Sequence, residues 1–239
     1  MFPRFFFVVF CTGSLAWAEA TPTSLLASAQ ELLAQVTPGN TTYKHKEPVV
    51  RWSTDPANPA WCHTDCSGLI IALLAHCDSR FDGDAFKRWL NARRPTARRF
   101  YDAIAEGKGF QRIEKIGDVQ PGDIIAMKYQ PGGENTGHAM LVAGAPRQIE
   151  AVEPMVDGTT QWLVTIIDET GSGHGPNDTR RLTDGKFRGG LGRGEFRLYA
   201  QADGTIAGYA WSAHPRSQFF GGDGDRVIAI GRLQKDFRP

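Results

Sequence analysis

The sequence predicts an α+β domain in which N-terminal helices pack on an antiparallel β-sheet. Before Gly109 the apolar residues recur with the spacing of helices, and after it they fall into short runs separated by turn residues, as in strands. Because the helices come first and the strands second, the sheet is expected to be antiparallel. Of the 239 residues, 41% are hydrophobic and 22% charged, which excludes a disordered chain or a coiled coil.

The charge distribution argues against a nucleic-acid partner. Lys and Arg total 27 and Asp and Glu total 26, so the formal net charge is +1, and no stretch concentrates basic residues.

The first residues have the pattern of a signal peptide. Arg4 precedes an apolar run over residues 5–11, and small residues follow at Ala16 and Ala18. The run is shorter than the roughly 20 residues that span a bilayer, so no retained membrane anchor is expected. We therefore predict a signal peptide over residues 1–18, a single domain over residues 19–239, and a secreted or periplasmic location.

Helical spacing occurs in four segments: residues 24–36, 67–77, 84–91 and 96–106. The second is apolar nearly all round, which is typical of a central buried helix, and Asp65 is well placed to cap it. Residues 40–61 are polar and contain three prolines, so they are predicted to form a surface loop.

Six segments have the character of strands: residues 124–128, 139–143, 163–168, 195–200, 205–211 and 226–232. Two of them flank an Ala-Asp-Gly turn at residues 202–204, which predicts a hairpin.

The segment from Cys62 to Gly68 indicates a nucleophile. Cys66 begins the apolar helix, where unpaired backbone N–H groups and the helix dipole favour a thiolate. Small Ser67 and Gly68 leave room for a substrate carbonyl, and the Cys66 N–H could stabilise an oxyanion. The alternatives are a structural cysteine or a disulfide with Cys62 or Cys77.

A base and an orienting acceptor follow later in the chain. His138 comes directly after Gly137 at the start of an apolar strand, where an imidazole has no packing role. Asp168 ends a third apolar strand and could hold the far nitrogen of the His138 ring, or could cap its own turn. The order Cys66, His138, Asp168 is typical of a cysteine acyl-transfer site.

At these residues the sequence resembles the NlpC-like papain-fold cysteine peptidases and amidases, which cut bacterial cell-wall peptides. The resemblance rests on Asp-Cys-Ser-Gly at residues 65–68, Pro-Gly-Asp at 121–123, Gly-His at 137–138 and a polar residue at Asp168. It covers residues 40–170. The pattern around residues 168–180 is similar to an uncharacterised secreted subset of the family.

The resemblance implies a papain-like core with Cys66 as nucleophile, His138 as general base and acid, and Asp168 as orienting residue. It implies that Tyr43 lines the site and that peptidoglycan stem peptides are the substrate. The glycine-rich loop over residues 171–181 adds Arg180, which could bind a substrate carboxylate or pair with Asp178.

Other readings of the same residues stay open. Cys62, His63 and Cys66 could hold zinc, but they supply only three ligands, so neither metal nor cofactor is expected. A disulfide between Cys62 and Cys66 would quench the nucleophile. The acyl group could also be transferred to an amine instead of water, or the domain could be a non-catalytic cell-wall-binding module.

Overall fold

A computed structural model describes residues 24–130, 135–222 and 224–239. The predicted signal peptide, residues 1–18, lies outside these ranges. The described residues form four helices: α1 (Leu25–Gln35), α2 (Cys66–Cys77), α3 (Gly83–Leu90) and α4 (Ala97–Ala105). They also form twelve strands: β1 (Thr41–Tyr43), β2 (Val49–Arg51), β3 (Trp61–Thr64), β4 (Phe110–Ile113), β5 (Ile124–Tyr129), β6 (Ala139–Val142), β7 (Arg147–Ile149), β8 (Thr159–Thr170), β9 (Gly190–Gln201), β10 (Ile206–Ala210), β11 (Phe219–Gly221) and β12 (Arg226–Leu233).

Nine strands form one antiparallel sheet in the order β11-β10-β9-β8-β6-β5-β12-β4, with β7 paired to the first half of β8. The 12-residue strands β8 and β9 pair along their full length, from Thr159 opposite Gln201 to Thr170 opposite Gly190. The sheet curls into a half-barrel, so that strands at its two ends, β4 and β11, line a common cavity. Strand twist of constant hand produces such curling when many strands are joined.

The predicted papain-like α+β fold, with N-terminal helices packed on an antiparallel sheet, is wrong. The structure has 35% strand and 22% helix, and the curled nine-stranded sheet organises it. The sequence pattern underestimated the strands because it detected only their apolar runs. Strands β8 and β9 continue through polar residues, since their backbones pair regardless of side chain.

The predicted surface loop over residues 40–61 is also wrong in part. Strands β1 and β2 flank β3 in a three-stranded sheet, β1 parallel and β2 antiparallel to it. These strands have three or four residues each and no apolar alternation, so their existence depends on backbone pairing across the chain.

The four predicted helices and six predicted strands are present within a few residues of their expected bounds, and β9 and β10 form the predicted hairpin. Two apolar clusters lie on opposite faces of the large sheet. Ile124 and Ile167 face α1, α2 and α4, whereas their neighbours Ile125 and Ile166 face the inside of the curl. This alternation is the two-residue period of strands buried on both faces. No helix of the described residues is long and apolar enough to cross a membrane.

Candidate active site

Cys66 is the first residue of α2 and directly follows Asp65, which caps the helix. The Asp65 carboxylate accepts hydrogen bonds from the Gly68 N–H at 2.7 Å and the Ser67 hydroxyl at 3.0 Å. Arg94 donates to its other oxygen at 2.7 Å. The N–H groups of Cys66 and Ser67 have no acceptor within the helix, and the positive end of the helix dipole lies beside the thiol.

Gly68 is required by the close approach of β3 to α2. A Cβ at this position would lie 2.0 Å from the Thr64 hydroxyl oxygen. The glycine of the Asp-Cys-Ser-Gly motif therefore lets the helix begin immediately after the strand. Ser67, predicted to contact substrate, directs its hydroxyl to Asp65, so its side chain supports the cap.

Tyr43 reaches Cys66 through the parallel pairing of β1 and β3. Tyr43 is opposite Thr64, two residues before the cysteine. Burial raises the pKa of the Tyr43 phenol, and the adjacent Cys66 thiolate raises it further. The hydroxyl therefore stays protonated and available as a donor at the site.

His138 is held at the entrance of β6 by a tight approach to β5. The Met127 N–H donates to the His138 carbonyl at 2.7 Å, and Gly137 has φ 143°. A Cβ on Gly137 would lie 2.0 Å from the Met127 carbonyl oxygen, so only glycine fits before the histidine.

The structure brings Cys66, His138 and Asp168 together. His138 Nε2 lies 2.7 Å from Asp168 Oδ2, which leaves Nδ1 as the nitrogen available to the thiol. Burial by itself would lower the pKa of His138, but the Cys66 thiolate and the Asp168 carboxylate raise it to about 10. The His138 ring therefore favours the imidazolium form at neutral pH.

Asp168 is fully buried and accepts hydrogen bonds from three side chains. His138 and His174 both bond Oδ2, the latter at 2.9 Å, and Arg180 donates to Oδ1 at 2.8 Å. Burial opposes ionisation of this carboxyl, but Arg180 and the histidines hold its pKa well below the usual range. Asp168 is thus a permanent carboxylate.

His174 is a second buried histidine in the network. Its Nδ1 lies 2.8 Å from the Trp211 carbonyl oxygen, its Nε2 bonds Asp168, and its ring stacks on the Trp211 indole at 4.1 Å. Both ring nitrogens therefore face oxygen atoms of neighbouring groups. His174 therefore links Asp168 to the residue that follows β10.

Arg180 is placed behind the catalytic candidates and does not face a substrate. Its side chain is fully buried, and Nε and Nη2 bond the two oxygens of Asp178 at 2.9 and 2.7 Å. The expected contact with a substrate carboxylate is therefore replaced by ion pairs to Asp168 and Asp178. The ion pairs that Arg180 forms with Asp178 and Asp168 therefore hold the loop of residues 171–181 in place.

Glycines on β9 allow this loop to pack against the strand. A Cβ at Gly192 would lie 2.5 Å from Arg180 Nε, and one at Gly194 would lie 2.6 Å from His174 Cβ. The alternation of Gly190, Gly192 and Gly194 in an otherwise well-formed strand was the sequence signal for a close backbone approach.

An aromatic pocket of about 400 Å³ opens beside His138. Its wall comes from β1, β5, β10, β11 and β12 and the loops beside them. Strands β10, β11 and β12 are far from Cys66 along the chain, so the sequence pattern does not place them at the site. Among the residues of this wall that sequence patterns do not reveal are Tyr129, Tyr209, Trp211, Phe220 and Arg226.

His138, Asp168 and His174 offer one ligand atom each within 4.8 Å, which is the minimum geometry for a metal ion. The nitrogens, however, lie 2.7 and 2.9 Å from one carboxylate oxygen, as in direct hydrogen bonds, and Arg180 occupies the other oxygen. The geometry therefore favours a hydrogen-bonded network over a metal centre.

The three cysteines of the described chain are free thiols, so Cys62 and Cys66 do not form a disulfide in this structure. Cys62 donates to Glu169 Oε2 at 3.3 Å and is fully buried, and burial raises the pKa of its thiol. This orientation directs the Cys62 sulfur to Glu169 and away from a shared zinc site with His63 and Cys66.

The fold and site define a half-barrel protein with a cysteine at the start of a helix and a histidine at the entrance of an interior strand. The chain is 35% identical over 208 residues to uncharacterized protein R653 of Acanthamoeba polyphaga mimivirus, an alignment that covers 82% of this chain and 88% of the viral protein. The chain therefore belongs to the same family as this mimivirus protein. No family model matches the chain, and no solved structure matches it.

We predict that Arg180→Met destabilises the fold by about 3–5 kcal/mol, since it leaves two buried carboxylates, Asp168 and Asp178, without their cation. Arg181→Met is the matched control, because the Arg181 side chain is exposed and its loss is expected to change stability by less than about 0.5 kcal/mol. Urea unfolding measures both. Equal stability of the two variants would contradict the buried network.

The raised pKa of Glu169 predicts that the protein loses stability as the pH rises. Burial raises its pKa from 4.5 to about 8, with Asp168 as a further cause. Between these values the native state keeps a proton that the unfolded state has lost, so the free energy of unfolding falls with increasing pH and levels off above about pH 8.

We predict that Glu169→Gln flattens this dependence between pH 5 and 8 relative to the parent protein, as measured by urea unfolding at each pH. The exposed Glu150→Gln is the control and is expected to leave the slope unchanged. A slope that is the same in all three proteins would show that Glu169 ionises normally in the fold.

Proposed function

We propose that this protein is a cysteine hydrolase that cleaves amide bonds through a thioester on Cys66. One observation carries the proposal: Cys66, at the start of α2, interacts with the His138 ring. The far nitrogen of that ring bonds Asp168, which is permanently charged. This is the arrangement by which a thiol is activated and its base is oriented.

In the first half of the reaction, the Cys66 thiolate attacks the carbonyl carbon of the amide and forms a carbon–sulfur bond. The carbonyl oxygen becomes an oxyanion, which the unpaired N–H groups at the start of α2 are positioned to stabilise. The His138 imidazolium gives its proton to the amide nitrogen, the carbon–nitrogen bond breaks, and the amine leaves.

In the second half, His138 takes a proton from water as the water oxygen attacks the thioester. The carbon–sulfur bond then breaks, the acid product leaves, and the thiolate–imidazolium pair is restored. Asp168 keeps the ring in one orientation throughout, and His174 and Arg180 hold Asp168 in place. The latter two are positioning residues because neither contacts the reacting atoms.

The proposed substrates are peptidoglycan stem peptides, with the protein secreted or periplasmic. This part of the proposal is supported by the motif resemblance at residues 65–68 and 137–138 and by the signal-peptide pattern of residues 1–18. Transfer of the acyl group to an amine would use the same thioester and is distinguished below by its product.

We predict that iodoacetamide alkylates Cys66 faster than Cys62 or Cys77 at neutral pH. The pKa values of the other two thiols are raised by burial, whereas Cys66 lies at a helix start beside His138. Mass mapping of the full chain over pH 5–9 measures the rates, with Cys66→Ala as control. Slow labelling of Cys66 with a midpoint near the ordinary value of about 8.5 would contradict an activated thiolate.

We also predict that the protein releases soluble peptides with new amino and carboxyl termini from purified sacculi, and that Cys66→Ser and His138→Gln abolish this release. Cys77→Ser is the matched control and is expected to retain full activity, because Cys77 is at the far end of α2. Addition of glycinamide tests for transfer, which would join it to the new carboxyl end. Binding to sacculi without release, unchanged in Cys66→Ser, would indicate a non-catalytic module.

A further inference from the structure

In the described parts of the chain, backbone hydrogen bonds join the two ends of the large sheet at only one place. The Ile206 N–H, at the start of β10, donates to the Glu114 carbonyl at 2.9 Å, and the Ile116 N–H donates to the Gly204 carbonyl at 2.9 Å. Beyond this contact, β12 pairs with β4 only from Ile230 onward, and the described residues of β10 and β11 do not pair with β12. An opening therefore remains between β10–β11 and β12, and it holds a cavity of about 180 Å³.

The wall of this cavity is largely apolar. Its apolar and aromatic side chains include Ile113, Ile206, Tyr209, Phe220, Ile228 and Ile230. Of its charged residues, Arg112 and Glu114 pair with each other at 3.3 Å, and Arg226 is exposed to water. The wall therefore suits a neutral ligand, because a charged one would lose its hydration among apolar side chains.

Tyr209, in this wall, has a buried hydroxyl without a partner. The residue is 2% exposed, and within the described residues no group hydrogen-bonds its hydroxyl. Its ring stacks on Phe196 and Phe220, with both centroid distances 5.3 Å, so the side chain is held in one place. Burial raises the pKa of the phenol, so the hydroxyl keeps its proton and can donate. A buried donor that lacks an acceptor favours a ligand that supplies an oxygen.

The dimensions of the cavity limit the ligand to one ring. A protein cavity of about 150 Å³ lined by apolar side chains can hold benzene, so about 180 Å³ leaves room for a ring and a small substituent. Gly222 lines the cavity and is exposed, which places it at the mouth. Apart from its chain neighbours, no heavy atom lies within 4 Å of the position that a Cβ on Gly222 would take, so the mouth is open there.

We propose that this cavity binds a small neutral molecule that carries one aromatic ring and a carbonyl oxygen, with the Tyr209 hydroxyl donating to that oxygen. The ring lies among the isoleucine and aromatic side chains of the wall. The reacting groups of the proposed hydrolase do not line this cavity, so the proposal does not depend on that function. Tyr209 and Phe220 also line the pocket beside His138, which makes the cavity and that pocket neighbours.

The test uses two probes of nearly the same shape, acetophenone and α-methylstyrene, which carry a carbonyl oxygen and a methylidene carbon at the same place. Both are titrated into the full chain with isotope-labelled isoleucine methyl groups and followed by NMR. We expect acetophenone to shift the methyl signals of Ile206, Ile228 and Ile230, with a dissociation constant of about 1 mM or lower. Absence of these shifts at about 10 mM acetophenone would overturn the proposal.

Tyr209→Phe tests the hydrogen bond, because it keeps the ring stacking and removes only the hydroxyl. We expect it to weaken binding of acetophenone by about 5-fold or more and that of α-methylstyrene by less than about 2-fold. The second probe thus also reports that the cavity has kept its shape. An unchanged affinity for acetophenone, or an equal loss for both probes, would contradict the role of the hydroxyl.

Gly222→Leu locates the site, because the new side chain would fill the mouth of the cavity. It is expected to weaken both probes by about 10-fold or more. Gly39→Leu is the matched control, since a Cβ at Gly39 also has nothing within 4 Å, neither glycine has a positive φ, and Gly39 does not line the cavity. Equal binding by the two variants would show that the probes bind elsewhere and that the assigned site is wrong.

Discussion

The structure of the site depends on one buried charge, the Asp168 carboxylate. A carboxylate with no solvent contact costs several kcal/mol unless cations and hydrogen bonds compensate it. Here His138 and His174 bond one of its oxygens, and Arg180 bonds the other. The loop of residues 171–181 folds back over β9 to supply two of these partners, and that return path in turn requires glycines on the strand.

The half-barrel positions the reacting groups through long-range pairing. Cys66 is fixed by the junction of β3 and α2, His138 by the approach of β6 to β5, and Asp168 by its place near the end of β8. Each side chain comes from a different element, and the elements are held together by the backbone of the sheet. The distances between the three groups are therefore properties of the whole fold.

The charged side chains and the aromatic side chains of the site lie in two different parts of it. The network behind His138 is closed to solvent, and in it Arg180 forms ion pairs with both Asp168 and Asp178. The pocket in front of His138 is aromatic, and the Arg226 guanidinium lies over the Tyr129 ring in its wall. The shared family with a mimivirus protein, aligned over most of both chains, makes that protein a natural second subject for the same experiments.

Local pattern determined much of this protein. The helices followed from apolar periodicity, and the roles suggested for Cys66, His138 and Asp168 came from their positions at the start of a helix, the start of a strand and the end of a strand. Only the tertiary structure decided the fold class, because β1, β2, β4, β7 and β11 are short and mostly lack an apolar period, and exist through backbone hydrogen bonds to distant partners. It also decided the surroundings of His174, Arg180 and Arg226. A charged residue looks the same in sequence whether it is buried in an ion pair or exposed in a pocket, and only the three-dimensional balance of charges distinguishes the two.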